Sequence, residues 1–123
     1  MQISEAESVV MEVLWRSHPL GADEVVAALA RSRDWQEATI KTLLNRLLKK
    51  GAIQASKDGR RYLYTPVLSR QAWLMDESEG LLQRLFDGRV APLVAHFSRH
   101  RKLGTKDIAE LRKLLEELDD GKP

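Results

Sequence analysis

The segment EATIKTLLNRLLKKG, from Glu37 to Gly51, has the residue spacing of an amphipathic helix. Its large apolar side chains recur at positions i, i+3, i+4, i+7 and i+8, which form one stripe along a helix. These side chains are Ile40, Leu43, Leu44, Leu47 and Leu48. Gly51 predicts the end of the helix, because glycine readily takes the left-handed conformation that follows a last turn. The segment therefore predicts a helix with its apolar stripe packed on a core.

The outer face of this helix, with its flanks, is short, polar and basic. It consists of Ala38, Thr39, Lys41, Thr42, Asn45, Arg46 and Lys49. Threonine, asparagine, lysine and arginine contact base edges and phosphates in DNA, and carboxylates, which phosphate repels, are missing from this face. The face predicts a DNA-recognition helix. The alternative is an ordinary solvated surface helix, which has the same general pattern.

Charge is nearly balanced over the chain but unevenly distributed along it. The 123 residues include 20 Lys and Arg against 18 Asp and Glu, which gives a formal charge of +2. Between Gln36 and Arg61, seven basic residues accompany two acidic ones, whereas from Ser69 onward ten basic residues balance ten acidic ones. A basic field confined to one region indicates a local surface for a polyanion.

The composition argues against several classes of protein. The chain has no cysteine, which excludes disulfides and thiolate metal sites. His96 and His100 have an i, i+4 spacing but no third ligand nearby, so we predict no metal site. No glycine-rich phosphate loop or catalytic triad spacing occurs, so we predict no enzyme and no cofactor. The sequence has no signal-peptide pattern and no apolar run of about 18 residues, which predicts a cytoplasmic chain without stable membrane association.

Two helices precede the amphipathic segment and a hairpin follows it. Ser4 to Glu7 form a capping box that begins a first helix, which ends before His18-Pro19, and a second helix covers about Ala22 to Arg31. After the third helix, two alternating runs joined through Asp58-Gly59 predict a β-hairpin. This order constitutes a winged helix, in which the third helix enters the major groove and the hairpin lies along the flanking backbone.

Three basic residues near the hairpin tip extend the predicted DNA surface. Lys57, Arg60 and Arg61 are placed to meet phosphates beside the basic helix face. The alternative is that they form a charged tip that discourages pairing between exposed strand edges. The complete set of predicted DNA contacts is Thr39, Lys41, Thr42, Asn45, Arg46, Lys49, Lys57, Arg60 and Arg61.

Three more amphipathic helices follow Pro66. We predict one from the cap Ser69 to about Phe86, one from Arg89 to about His100, and one capped by Thr105, before a frayed tail over residues 119–123. Their apolar faces have no obvious cover within the chain, so a second copy is the simplest partner. The predicted dimerisation residues are Leu81, Leu85, Leu93, Phe97, Ile108, Leu111, Leu115 and Leu118. The alternative is that these helices fold back on the winged helix.

The predicted fold is therefore mostly α, a winged helix of the α+β type followed by helices. We assign residues 1–68 to a winged-helix DNA-binding domain and residues 69–123 to a helical dimerisation region. A two-fold dimer would present two recognition helices to one side of a duplex, which suits a palindromic DNA site.

Several motifs, in order and spacing, make the chain resemble a known family. They are SEAE at residues 4–7, VLW at 13–15, EVV at 24–26, TIKTLLNRL at 39–47, KG at 50–51, GRRYLY at 59–64 and LVAHF at 93–97. From Ser4 to about Leu118 the chain resembles the penicillinase-repressor family of winged-helix transcriptional repressors, the BlaI, MecI and CopY type. The resemblance is closest to the β-lactamase-type members.

The resemblance implies a homodimeric repressor of a β-lactam-resistance-type operon. Within the family, the third helix and the wing contact the operator, which here implies Thr39, Lys41, Thr42, Arg46, Arg60 and Arg61. Family members linked to antibiotics are released from DNA when a membrane sensor-protease triggers a cut between Asn and Phe. The corresponding pair here is His96-Phe97, which differs at its first residue. The copper-responsive branch uses a C-terminal cysteine cluster, which this chain lacks.

Two other functions remain open at the level of sequence. One is a winged-helix module that binds another protein, although protein interfaces tend to have little lysine at their centres. The other is a repressor that binds a small effector directly, which requires a pocket.

Overall fold

The computed structural model describes residues 1–120 and is mostly helical. Within that range it has helices α1 (Glu5–Arg16), α2 (Ala22–Ala30), α3 (Glu37–Lys50), α4 (Arg70–Phe86), α5 (Val90–Arg99) and α6 (Thr105–Asp119), and strands β1 (Ile53–Asp58) and β2 (Arg61–Pro66). The order of three helices, a hairpin and three helices confirms the predicted fold class. The predicted tail begins within α6, and its last three residues lie outside the described residues.

Short sequence signals fix most helix ends. The hydroxyl of Ser4 accepts from the Glu7 amide at 3.0 Å and the Glu7 carboxylate accepts from the Ser4 amide at 2.7 Å, which confirms the predicted capping box. Gly51 ends α3 with a φ of +80°, in the left-handed region. The predicted cap of α6 is wrong by one residue, because the Ile108 amide donates to the carbonyl of Gly104. Thr105 is consequently the first residue of that helix.

The hairpin turn also differs by one residue from the sequence prediction. Strands β1 and β2 are antiparallel, and Asp58 pairs with Arg61 at the end of the ladder. The loop is therefore Gly59-Arg60, whereas the sequence predicts a connection through Asp58-Gly59. Gly59 has a φ of +65°, which suits the first loop residue of a type II′ turn. Arg60 thus occupies the tip and Arg61 begins the second strand.

The buried core joins the three N-terminal helices to the base of the hairpin. Helix α3 contributes four buried residues of its predicted apolar stripe, and Leu48 of the stripe is half-buried. The apolar core is made of Ile3, Val10, Met11, Leu14, Val25, Leu29, Ile40, Leu43, Leu44, Leu47, Ala52 and Ile53. Burying each large aliphatic side chain contributes roughly 1.5 to 3 kcal/mol, so this face determines how α3 sits.

The chain divides into two compact units, Met1–Asp76 and the part from Glu77 onward. The division falls inside α4, whereas the predicted domain boundary between residues 68 and 69 lies immediately before that helix. In the first unit, Trp73 of α4 packs against Trp15 of α1 with ring centroids 5.3 Å apart. The first turn of α4 thus belongs to the packing of the winged helix.

An ion pair between a buried carboxylate and a partly exposed lysine connects α1 to the last residue of α3. Glu7 is only 1% exposed, and its Oε1 accepts from the ammonium of Lys50 at 2.5 Å. Lys50 also donates to the carbonyl of Gln2. Burial by itself raises the pKa of Glu7, but hydrogen bonds from Lys50 and Ser4 outweigh it and hold that pKa below its ordinary value.

We expect Glu7→Gln to lower the free energy of unfolding at pH 7 by about 1 to 2 kcal/mol, because the ammonium of Lys50 loses its charged partner. A carboxylate with a lowered folded pKa contributes stability above its unfolded pKa of about 4.3 and loses that contribution as pH falls through the folded value. Urea unfolding followed from neutral to acid pH should therefore show a weaker acid dependence in the variant.

The matched control is Glu5→Gln, which changes an exposed carboxylate in the same helical turn. We expect this control to leave both the stability and its acid dependence close to those of the original chain. An equal acid dependence in Glu7→Gln and the unaltered chain would contradict the role given to Glu7.

Candidate nucleic-acid interface

Helix α3 exposes every polar residue predicted to contact DNA. These residues are Thr39, Lys41, Thr42, Asn45, Arg46 and Lys49. The same helix buries Ile40, Leu43, Leu44 and Leu47. Because side chains on opposite faces of one rigid helix cannot exchange places, burial of the apolar stripe fixes the outward direction of the polar face.

The side chains on this face differ in the ion pairs and hydrogen bonds that they form within the chain. The ammonium of Lys41 lies 3.6 Å from the Glu37 carboxylate, and both groups are exposed, so the pair is weak. The hydroxyl of Thr42 donates to the Ala38 carbonyl at 2.9 Å, which leaves its oxygen able to accept. Arg46 forms no ion pair within residues 1–120. The N–H groups of its guanidinium are therefore available to an acceptor outside the chain.

An aromatic residue anchors the start of α3. Trp35 is half-buried and packs against the core. The guanidinium carbon of Arg33 lies 5.6 Å from the centroid of the Trp35 ring, within the range of a cation–π contact. Arg33 is not among the predicted DNA contacts, and it adds positive charge to the loop before α3.

The hairpin separates its basic residues into different environments. Lys57 is exposed and pairs in register with Tyr62 across the strands, and Arg60 lies in the exposed loop. Arg61, by contrast, has acidic partners on α2: its Nη2 lies 3.0 Å from Glu24 Oε1. Its Nη1 lies 3.7 Å from Asp23 Oδ1. No local sequence pattern predicts these two acidic partners.

The predicted cleavage pair lies within a helix. His96 and Phe97 belong to α5, and both are exposed. The ring of His96 has its centroid 4.7 Å from that of His100 and 6.0 Å from that of Phe86. No group of three or more His, Cys, Asp or Glu residues in the described range 1–120 is arranged to hold a metal ion.

The residues predicted to form a dimer lie on helices without a fully buried side chain in the described part of the chain. Six of them are exposed: Leu81, Leu85, Phe97, Ile108, Leu115 and Leu118. The exposure of Leu115 and Leu118 reaches 60% and 70%. Leu93 and Leu111 are half-buried and line an apolar groove of about 260 Å³ between α5 and α6. Leu93 and Leu111 thus have neighbours in their own chain, whereas the outer face of α6 is uncovered.

None of the helices that the structure describes is both long and apolar enough to span a membrane.

Comparison with known proteins gives matches along nearly the whole chain. Residues 3–117 match the family model described as penicillinase repressor. The chain is 36% identical to the penicillinase repressor of Bacillus licheniformis over 116 residues, which cover 94% of this chain and 91% of that protein. It is 31% identical to the methicillin resistance regulatory protein MecI of Mammaliicoccus sciuri over 114 residues, which cover 93% of each.

A solved structure extends this likeness to the fold. The monomeric form of Bacillus licheniformis BlaI, in complex with the blaP half-operator, is similar to this chain with a TM-score of 0.52 and 40% identity. The match covers 58% of this chain and 88% of that one.

Proposed function

The chain belongs to the penicillinase-repressor family, and from that membership we propose that it is a transcriptional repressor that binds operator DNA through α3 and the hairpin. The observation that carries the proposal is the exposed polar and basic face of α3, whose opposite face is buried in the core. The BlaI relative in complex with a half-operator supports the same mode of action. Because one relative is named as a repressor and the other as a regulatory protein, membership agrees with the prediction that the chain is not an enzyme.

We assign different roles to the helix and the hairpin. Thr39, Lys41, Thr42, Asn45, Arg46 and Lys49 face the major groove in this proposal. Arg46 reads a guanine through its O6 and N7 atoms, a bidentate contact worth about 1 to 3 kcal/mol. Lys57 and Arg60 contact phosphates of the flanking backbone, which adds affinity and salt dependence but little sequence preference.

We further propose that the repressor acts as a homodimer on an inverted repeat. Support comes from the apolar side chains of α6 that lie open to solvent, Leu114, Leu115 and Leu118. Exposed leucines that follow one another on a single helix are typical of an interface between protein chains. A two-fold dimer would place two copies of α3 about one helical turn of DNA apart.

The proposed release mechanism is proteolysis at His96-Phe97 in response to a membrane sensor-protease, in a cytoplasmic repressor of a β-lactam-resistance-type operon. Both side chains are exposed, which supports access by a protease. The bond lies inside α5, so its backbone must open locally before it can be cut. Local opening of α5 would then be a step that precedes release.

The test of DNA binding uses a duplex selected from a randomised pool by the unaltered protein, with mixed-sequence genomic DNA for comparison. We expect Arg46→Ala to weaken binding to the selected duplex by about 1 to 3 kcal/mol, because a bidentate base contact is lost. Binding to mixed-sequence DNA should change much less. Fluorescence anisotropy of labelled duplex over a salt series measures both affinities.

Lys106→Ala is the matched control, because it removes one exposed positive charge from α6. We expect it to leave both affinities close to those of the unaltered protein. Equal losses on the two DNAs in Arg46→Ala would assign this residue to phosphate instead of a base. Failure of the unaltered protein to bind DNA at low salt would favour the protein-interaction module.

The dimer has a separate test. We expect Leu115→Glu to give a monomer in analytical ultracentrifugation, because the new carboxylate would be buried without a partner in the interface. Loss of the second half-site should weaken binding to the selected duplex by roughly a hundredfold. Leu115 is preferable to Leu111 for this test, since Leu111 also lines the groove between α5 and α6 of its own chain.

Lys113→Glu, an exposed change on the same helix, serves as the control and should leave the dimer intact. A Leu115→Glu protein that sediments as a dimer would exclude this face of α6 from the interface.

A further inference from the structure

We propose that Arg61, Asp23 and Glu24, here called the Arg61 cluster, fix the hairpin against α2, so that two acidic residues strengthen DNA binding without touching DNA. The inference rests on the proposed function. It makes Arg61 a positioning residue, in place of the phosphate contact that the sequence analysis predicts. The hairpin then presents Arg60 and Lys57 at a fixed distance from α3.

The geometry engages both terminal nitrogens of Arg61. Nη2 donates to Glu24 Oε1 at 3.0 Å, and Nη1 lies 3.7 Å from Asp23 Oδ1. The two carboxylates lie in the first turn of α2, so the guanidinium bridges from β2 to the start of that helix. Redirecting Arg61 to a phosphate would leave both carboxylates unpaired close to DNA, which the DNA charge opposes.

Glu24 is also held in place by a contact that does not involve Arg61. Its Oε1 also accepts from the amide of Gly21 at 2.9 Å, which makes Glu24 the reciprocal member of the helix cap. A side chain that is already ordered loses less entropy when it forms a second contact. The same oxygen therefore serves both the start of α2 and the attachment of the hairpin.

A backbone contact supplies a second attachment on the same strand. The amide of Leu20 donates to the carbonyl of Tyr64 at 3.2 Å, and the amide of Tyr64 donates to the carbonyl of Leu20 at 2.7 Å. This bridge holds the middle of β2, whereas Arg61 lies next to the turn. One attachment permits a two-stranded ribbon to pivot, and a second attachment nearer the tip opposes that motion.

Gly21, which lies in sequence between Leu20 and the carboxylates of the Arg61 cluster, leaves room for that cluster. A Cβ built on Gly21 would lie 2.7 Å from Asp23 Oδ1 and 3.5 Å from Arg61 Cζ. The φ of Gly21 is −80°, so space and not backbone conformation favours glycine here. Any larger residue would have to displace Asp23 from its position beside the guanidinium.

The direction in which Glu24→Gln changes DNA affinity distinguishes the two roles of Arg61. Removing a carboxylate near a DNA-binding surface normally raises affinity, because it removes repulsion. If the cluster positions the wing, Glu24→Gln should lower affinity instead. Glutamine keeps the acceptor that caps Gly21, so the helix start is preserved while the ion pair is lost.

The experiment measures binding of Glu24→Gln, Arg61→Gln and the double variant to the duplex selected by the unaltered protein, over a salt series. We expect each single variant to bind roughly fivefold more weakly, as for the loss of one partly exposed ion pair, and the double variant to bind no more weakly than either single one. The salt slope should stay unchanged in all three. Arg60→Gln, the matched change at the tip, should reduce the slope by about 0.9.

Hydroxyl-radical footprinting of the same complexes provides a positional readout. We expect Glu24→Gln to lose protection of the backbone flanking the site while it keeps protection at the sites met by α3. A general loss of protein stability would instead reduce protection in both regions of the DNA. Asp23→Asn, which leaves the helix cap untouched, should show the same change to a smaller degree and serves if Glu24→Gln fails to fold.

Two results would overturn the proposal. The first is equal or tighter binding by Glu24→Gln and by Asp23→Asn with an unaltered footprint. The second is a fall of about 0.9 in the salt slope of Arg61→Gln, which would make Arg61 a phosphate contact. Failure of the unaltered protein to bind any duplex would instead reject the proposed function, and that result is known before any variant is made.

Discussion

Burial of the apolar stripe of α3 is the constraint on which the other features depend. Ile40, Leu43, Leu44 and Leu47 pack with residues of α1 and α2 in one core, and the polar face has no freedom to turn inward. Rotating the helix would expose several large aliphatic side chains at a cost of roughly 1.5 to 3 kcal/mol each. The surface that meets DNA in our proposal is thus oriented by side chains that never reach it.

The winged helix contains two ion pairs of different kinds. Glu7 and Lys50 form a pair with a fully buried carboxylate, which joins the start of α1 to the end of α3. Loss of Lys50 would be costly, because the carboxylate of Glu7 would stay uncompensated away from water. The pair of Arg61 with Glu24 is about half exposed, so its direct contribution to stability is small. Its value in our proposal lies in where it holds the hairpin.

Local periodicity and capping signals sufficed to predict the helices, because these depend on residues within four positions of each other. The stripe of α3, the capping box at Ser4 and the left-handed Gly51 are of this kind. The turn of the hairpin was misplaced by one residue, since Gly59 fits more than one position of a tight turn and the ladder register decides between them. The partners of Arg61 lie 37 and 38 residues away, and no local pattern indicates which carboxylates a distant arginine will meet. The ion pair between Lys50 and Glu7 is unpredictable for the same reason, because the sequence indicates Glu7 only as part of the capping box of α1.

The double use of Glu24 Oε1 has a consequence for cooperativity. Because one oxygen accepts from both the Gly21 amide and Arg61, fraying of the first turn of α2 also removes the attachment next to the turn of the hairpin, while the Leu20–Tyr64 bridge remains. The tip of the hairpin and the start of α2 are thus coupled in local opening, whereas the base of the hairpin stays attached through the core. A two-stranded hairpin is marginally stable by itself in water, so its order depends on the core at its base, on the Leu20–Tyr64 bridge and, near its tip, on the start of α2.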